Sequence, residues 1–139
     1  MTTHAHGTFD VKMTPQSARE QLEGPIPGRM LIDKQFHGDL EAVSQGQMLA
    51  AMTEVKGSAG YVAIEQVTGT LRDGNGRARS GSFILQHFGI MNRGEPQQSV
   101  TIVPDSGTGQ LVGIAGTMAI LITDGKHSFD FAYDVPDEC

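Results

Sequence analysis

Tight-turn signals break this chain into strand-length runs, and nothing between them keeps a helical period over a useful distance. Asp73-Gly74-Asn75-Gly76 and Asp124-Gly125 are strong hairpin signals, because asparagine, aspartate and glycine tolerate the positive φ that short β-turns demand. Gly57-Ser58-Ala59-Gly60 is a looser one, and Val103 to Leu111 reads as a tight glycine turn between two apolar strands. Eighteen glycines and six prolines among 139 residues supply this punctuation. The runs between turns read as eight strands: Gly7–Met13, Arg29–Asp39, Gln47–Val55, Gly60–Arg72, Arg77–Met91, Gln98–Val103, Gln110–Ile122 and His127–Val135. Thr14–Gly28 stays ambiguous between a short helix capped by Thr14, with Pro15 in its first turn, and an irregular crossing loop.

Regular strand spacing with hairpin connections predicts an all-β fold with little or no helix: an eight-stranded antiparallel meander closed into a barrel. Closure removes the exposed edges of such a sheet, and an open sandwich is the rival arrangement. The length is that of one domain over residues 1–139, with 1–6 and 136–139 expected as flexible ends. A chain of this size buries roughly two-thirds of its unfolded surface and needs no covalent staple.

Alternation sorts the faces. Phe129, Phe131 and Tyr133 oppose Ser128, Asp130, Ala132 and Asp134, so the aromatic row is expected to point inward. Phe83, Leu85 and His87 share one face of their strand, while Gln86 falls on the other. Tyr61, Ala63, Glu65, Val67 and Leu71 share a face of Gly60–Arg72.

Charge and composition remove several function classes. The net charge is −6 with no basic cluster, which argues against nucleic acid and anionic membrane as partners. No signal peptide is apparent at the amino terminus, and no apolar run reaches bilayer length; a cytoplasmic setting is expected. The one cysteine, Cys139, rules out an internal disulfide. His4-Ala5-His6 sits on an expected mobile end without a carboxylate at useful spacing, so no metal site and no cofactor are expected. Ser106-Gly107-Thr108-Gly109 lacks the lysine and following helix of a phosphate loop, and Gly81-Ser82-Phe83 lacks the second glycine of a nucleophile elbow.

Glu65 is the ionisable residue of greatest interest. Desolvation in an apolar lumen would raise its pKa and suit it to general acid or base work. Structurally, it could instead bond Tyr61 or a histidine, or pair with Lys34 or Arg79. His87 reads either as a satisfied core histidine or as a ligand-binding or proton-transferring group. Tyr61, Tyr133, Phe83 and Phe131 complete the candidate ligand-binding set, with methionines such as Met48 as a deformable wall. No catalytic residue is identifiable.

The strings SGSFILQHFG (Ser80–Gly89) and VPDSGTGQL (Val103–Leu111), together with Tyr61-Val62-Ala63-Ile64-Glu65, resemble a small bacterial family catalogued as a domain of unknown function. The resemblance covers roughly Phe9–Val135, with His127 to Val135 fitting the family's closing strand. It implies a barrel similar to that of allene oxide cyclase, eight antiparallel strands around a central cavity. It implies no reaction, and the cyclase's substrate-binding motif is not recognisable here. Three functional readings follow. The first is a barrel binding a small apolar metabolite in its lumen. The second is a cofactor-free isomerase or cyclase using a luminal glutamate or histidine. The third is a filled barrel acting through self-association; a homo-oligomer is expected.

Overall fold

In a computed structural model, which describes residues 2–15 and 28–136, the chain forms a closed barrel of eight antiparallel strands in sequential order. The strands are β1 (Thr3–Pro15), β2 (Gly28–Gly38), β3 (Leu40–Met52), β4 (Ala59–Arg72), β5 (Ala78–Asn92), β6 (Glu95–Ile102), β7 (Ala115–Thr123) and β8 (Lys126–Asp134). The only helical element among the described residues is a 3-10 turn, Gly109–Leu111, and no helix is long and apolar enough to cross a membrane. Most of the ambiguous segment after Thr14 lies outside the described residues, as does Cys139.

The turns follow their chemistry. Asp124 and Gly125 both take positive φ between β7 and β8, and Asp73 binds the amides of Asn75 and Arg77 across the β4–β5 turn. Arg93-Gly94 forms the same kind of turn between β5 and β6.

Three expectations need correction. Residues 3–6, expected to be part of a flexible end, belong to β1, which pairs with β8 from Thr3↔Tyr133 onward; Ala5 is fully buried, and His4 lies 3.0 Å from Asp130. β3 begins at Leu40 rather than Gln47, because Gly38 at φ 118 lets the chain reverse at Gly38-Asp39. The segment from Gln110 is not yet strand. Residues 103–114 instead dock along β5, where Val103 and Thr108 amides donate to the Ile84 and Ser82 carbonyls at 2.8 Å. The amides of Ser82 and Ile84 in turn donate to the hydroxyls of Thr108 and Ser106. This loop thereby takes over the lower edge of β5, which β6 does not reach. β6 and β7 share a single registered pair, Thr101↔Thr117, making this the thinnest seam of the wall.

The lumen has two unlike halves. One end is filled by Phe36, Leu40, Leu71, Phe83, Phe131 and Tyr133, with Leu111 and Ile114 from the docked loop joining the same core. Phe83 stacks on Phe131, and Phe131 on Tyr133, with centroids 5.6 and 5.2 Å apart. Near the other end Ile32, Met48 and Ala63 form a separate small cluster.

Gly81 makes the loop docking possible, because a Cβ there would overlap the Thr108 carbonyl oxygen. Gly81→Ala is expected to destabilise the protein by about 1–3 kcal/mol in urea unfolding. It should also speed hydrogen exchange at the Ser82 and Ile84 amides; protected amides in that variant would show that the loop tolerates the methyl group.

Candidate functional site

Between the two apolar clusters lies a layer of buried polar side chains, one from each of four adjacent strands. Inward positions of β2, β3, β4 and β5 deliver Lys34, Ser44, Glu65 and His87, with exposures of 7 % for Lys34, 0 % for Glu65 and 4 % for His87. Lys34 and Ser44 are registered partners across β2 and β3, and Ala63 and His87 across β4 and β5. Gly46 faces Glu65 across β3 and β4, where a Cβ would meet the Glu65 backbone.

Glu65 is the hub. Lys34 Nζ donates to its Oε2 at 2.8 Å, and the Ser44 hydroxyl donates to its Oε1 at 2.8 Å. His87 Nε2 stands 2.6 Å from the same Oε2, close enough that one of the two atoms must carry a proton. The approach is not aligned as a hydrogen bond, so this buried ring nitrogen lacks a properly directed partner. Burial alone raises the Glu65 pKa. The His87 ring and the Lys34 ammonium outweigh it and bring the carboxyl down from 4.5 to about 2. The raised value expected from desolvation alone is therefore reversed, and Glu65 is a fixed anion rather than a proton carrier at neutral pH. Of the structural partners anticipated for it, Lys34 and a histidine are found. Arg79 instead approaches Asp73 at 3.8 Å, and Tyr61 bonds elsewhere.

On the open side of this layer is a cavity of about 290 Å³, lined by Lys34 and His87 together with Phe9, Ile32, Met48, Ala63 and Ile120, among others. It continues toward the barrel end into a space of about 370 Å³ bordered by Ala50, Tyr61, Met91, Pro96 and Ile122. Both spaces share Met48, Tyr61, Gln98 and Ile122. Gln98 Nε2 donates to the Tyr61 hydroxyl at 2.7 Å, and Gly89 leaves room for the Tyr61 ring, which a Cβ would overlap. Lys34 Nζ also lies 4.9 Å from the Phe9 ring centroid, a cation–π contact that keeps the ammonium over the cavity wall.

Of the six anticipated ligand-binding residues, the cavity brings together His87 and Tyr61, with Glu65 directly behind them. Phe83, Phe131 and Tyr133 belong instead to the filled end, where burial and then the Asp73 charge raise the Tyr133 pKa. They pack in the core and do not line this cavity. The reason is depth: alternation gives the face of the sheet but not the height along the barrel axis. His127 is half-buried, lines the cavity and packs on Phe9 with centroids 5.1 Å apart. His37 faces outward between Asp10 and Glu41, away from His87 and His127. Among the described residues no cluster of three metal-ligating side chains occurs. Ser44 was missed; its signal was a small polar residue on the inward face of a strand placed too late.

The charge layer sets the response to acid. A depressed carboxyl pKa contributes stability that is present above the ordinary 4.5 and lost as pH falls toward about 2. The increment is on the order of 3 kcal/mol. Lys34→Met alone should destabilise by about 3–5 kcal/mol at neutral pH by leaving Glu65 unpaired. Lys34→Met/Glu65→Gln should recover much of that loss and lack the acid-sensitive increment in urea unfolding between about pH 5 and pH 2. Equal acid sensitivity in wild type and double variant would contradict the role given to Glu65.

No curated protein matches the chain. A solved structure that does, the crystal structure of a protein with unknown function from the DUF3224 family of Shewanella oneidensis MR-1, is 51% identical. The likeness covers 99% of this chain and 100% of that one, with a TM-score of 0.86. Residues 5–133 match the family described as "Protein of unknown function (DUF3224)", a span that holds the whole polar layer and every residue named along the cavity. By both measures the chain belongs to the DUF3224 family.

Proposed function

We propose that the protein binds a small, mainly apolar molecule in the open half of its barrel, with the guest's polar end on the Lys34–Glu65–His87 layer. The observation that carries this reading is a cavity of about 290 Å³ with aliphatic and aromatic walls and a charged, hydrogen-bonding floor. Specific small-molecule sites combine these features: apolar walls supply affinity and a few fixed polar groups supply orientation. A cofactor-free isomerase or cyclase would need two proton-carrying groups converging on one substrate atom. Glu65, held ionised, is not such a carrier, so binding is the better-supported reading.

N-phenyl-1-naphthylamine, whose emission rises in apolar surroundings, tests it directly. One equivalent should bind the wild type. Ala63→Phe, which places a ring in the cavity, should weaken binding at least tenfold while the far-UV circular dichroism stays that of the barrel. Absence of binding to the wild type, or equal binding to both proteins, would overturn the reading.

Self-association is proposed on a separate observation. Leu49, Val62 and Phe88 are registered neighbours that form an exposed apolar row across the outer faces of β3, β4 and β5. Ile64 and Ile90 flank the row, and a second copy of the same surface would cover it. Val62→Lys should then lower the oligomer mass in native mass spectrometry, and a wild-type monomer at micromolar concentration would contradict the proposal.

A further inference from the structure

We propose that the guest is a monoanion, a small apolar carboxylic acid bound as its carboxylate between Lys34 and a protonated His87. The inference rests on the binding reading above and adds the chemical class of the ligand.

The argument begins with charge. Lys34 and Glu65 cancel in an ion pair at 2.8 Å, so His87 decides the net charge of the layer. With His87 neutral the layer carries no net charge, and with His87 protonated it carries one positive charge. A buried net charge is unfavourable unless it is paired, and a carboxylate guest supplies the pairing. A neutral guest leaves the layer as it stands and gains no such term.

Donors point the same way. Glu65 already accepts from Ser44 and Lys34 and lies against His87, so it has little capacity for a guest's N–H or O–H group. Lys34 Nζ has Glu65 as its only hydrogen-bond acceptor named among the described residues, while an ammonium carries three N–H bonds. His87, whose Nε2 is turned to Glu65 at 2.6 Å, lines the cavity beside Lys34. The floor is thus rich in donors and short of acceptors, which selects a guest that accepts. The walls accommodate an aliphatic or aromatic body, with Phe9, Ile32, Met48, Ala63 and Ile120 around it.

The groups around His87 fix the sign of the pH dependence. Lys34 of β2, Ser44 of β3, Glu65 and Tyr61 of β4, Gln98 of β6 and His127 of β8 share the layer or the cavity with it. Glu65 stays ionised and Lys34 stays paired with it, which leaves His87 as the group that responds to an anion beside it. Carboxylate binding therefore favours the imidazolium. Carboxylate affinity should accordingly weaken as pH rises.

Octanoate and octanamide are the probes, titrated by calorimetry and by displacement of N-phenyl-1-naphthylamine. Octanoate should bind at least tenfold more tightly than octanamide at the acidic end of the accessible range. It should take up a fraction of a proton approaching one, read from buffers of different ionisation enthalpy. The carboxyl carbon of 13C-labelled octanoate should keep its ionised shift, which places the proton on the protein. His87→Gln should abolish the proton uptake, and Lys34→Met/Glu65→Gln should reduce the octanoate-to-octanamide ratio.

Equal affinity for the two probes, or a bound octanoate with the shift of the neutral acid, would overturn the carboxylate assignment while leaving the cavity a site for neutral guests. Failure of both probes to displace the naphthylamine from the wild type would overturn the assignment alone. Failure of the naphthylamine itself to bind would remove the binding reading beneath it.

Discussion

A carboxylate with no exposure to solvent is the constraint around which this barrel is arranged. Taken alone, Glu65 in an apolar lumen would surrender its charge, since burial raises its pKa. It remains ionised because three neighbouring strands each contribute one partner at the same height: an ammonium, a hydroxyl and an imidazole. That arrangement fixes the relative register of β2 through β5, because a slip of one residue would turn each side chain out of the lumen. Gly46 belongs to the same arrangement, its missing side chain giving β3 room to approach the Glu65 backbone.

The polar layer also explains why one half of the lumen is filled and the other is hollow. Below it, aromatic rings from β2, β5 and β8 interlock with leucines from β3 and β4, and the docked 103–114 loop adds Leu111 and Ile114. Above it, many inward positions are smaller or flexible, among them Val11, Ala50, Ala63, Gly89, Met30 and Met48. An eight-stranded barrel is just wide enough for side chains to fill or for one small guest. Residue size at each height decides between these outcomes, so a single sheet supports a packed core and a cavity together. The thin β6–β7 seam borders the hollow half, where Gln98 of β6 and Ile120 of β7 both face the cavity.

Much of the fold was legible in the sequence because strand structure is written locally. The alternation of Phe129, Phe131 and Tyr133, the placing of His87 and Gln86 on opposite faces, and the Asp73 and Asp124 turns all rest on neighbouring residues, and all are found in the structure. What escaped was long-range. The hairpin at Gly38-Asp39 has no asparagine–glycine signature, so β3 was placed seven residues late and Ser44 was lost from view. The 103–114 segment looks like a simple turn between strands because its apolar residues are strand-like; only its hydrogen bonds to β5 show that it packs as a separate piece of wall. Glu65 was legible as a candidate, but its ionisation depends on residues 31 and 22 positions away, which no local pattern joins.

Why such a layer persists in a small barrel is a question of energy. Replacing a buried ion pair by apolar side chains of similar volume is often neutral or stabilising, so the stability of the fold is weak grounds for keeping one. The filled half of this barrel shows the apolar alternative at work a few residues away on the same strands, with Phe36 on β2, Leu40 on β3 and Phe83 on β5. The charged layer lies instead at the height where packing stops and the cavity begins. Its position there, with ammonium hydrogens beyond the one given to Glu65, leaves hydrogen-bonding capacity at the cavity floor. Buried polar groups favour having partners, and donors beside an apolar hollow are what the proposed guest would meet.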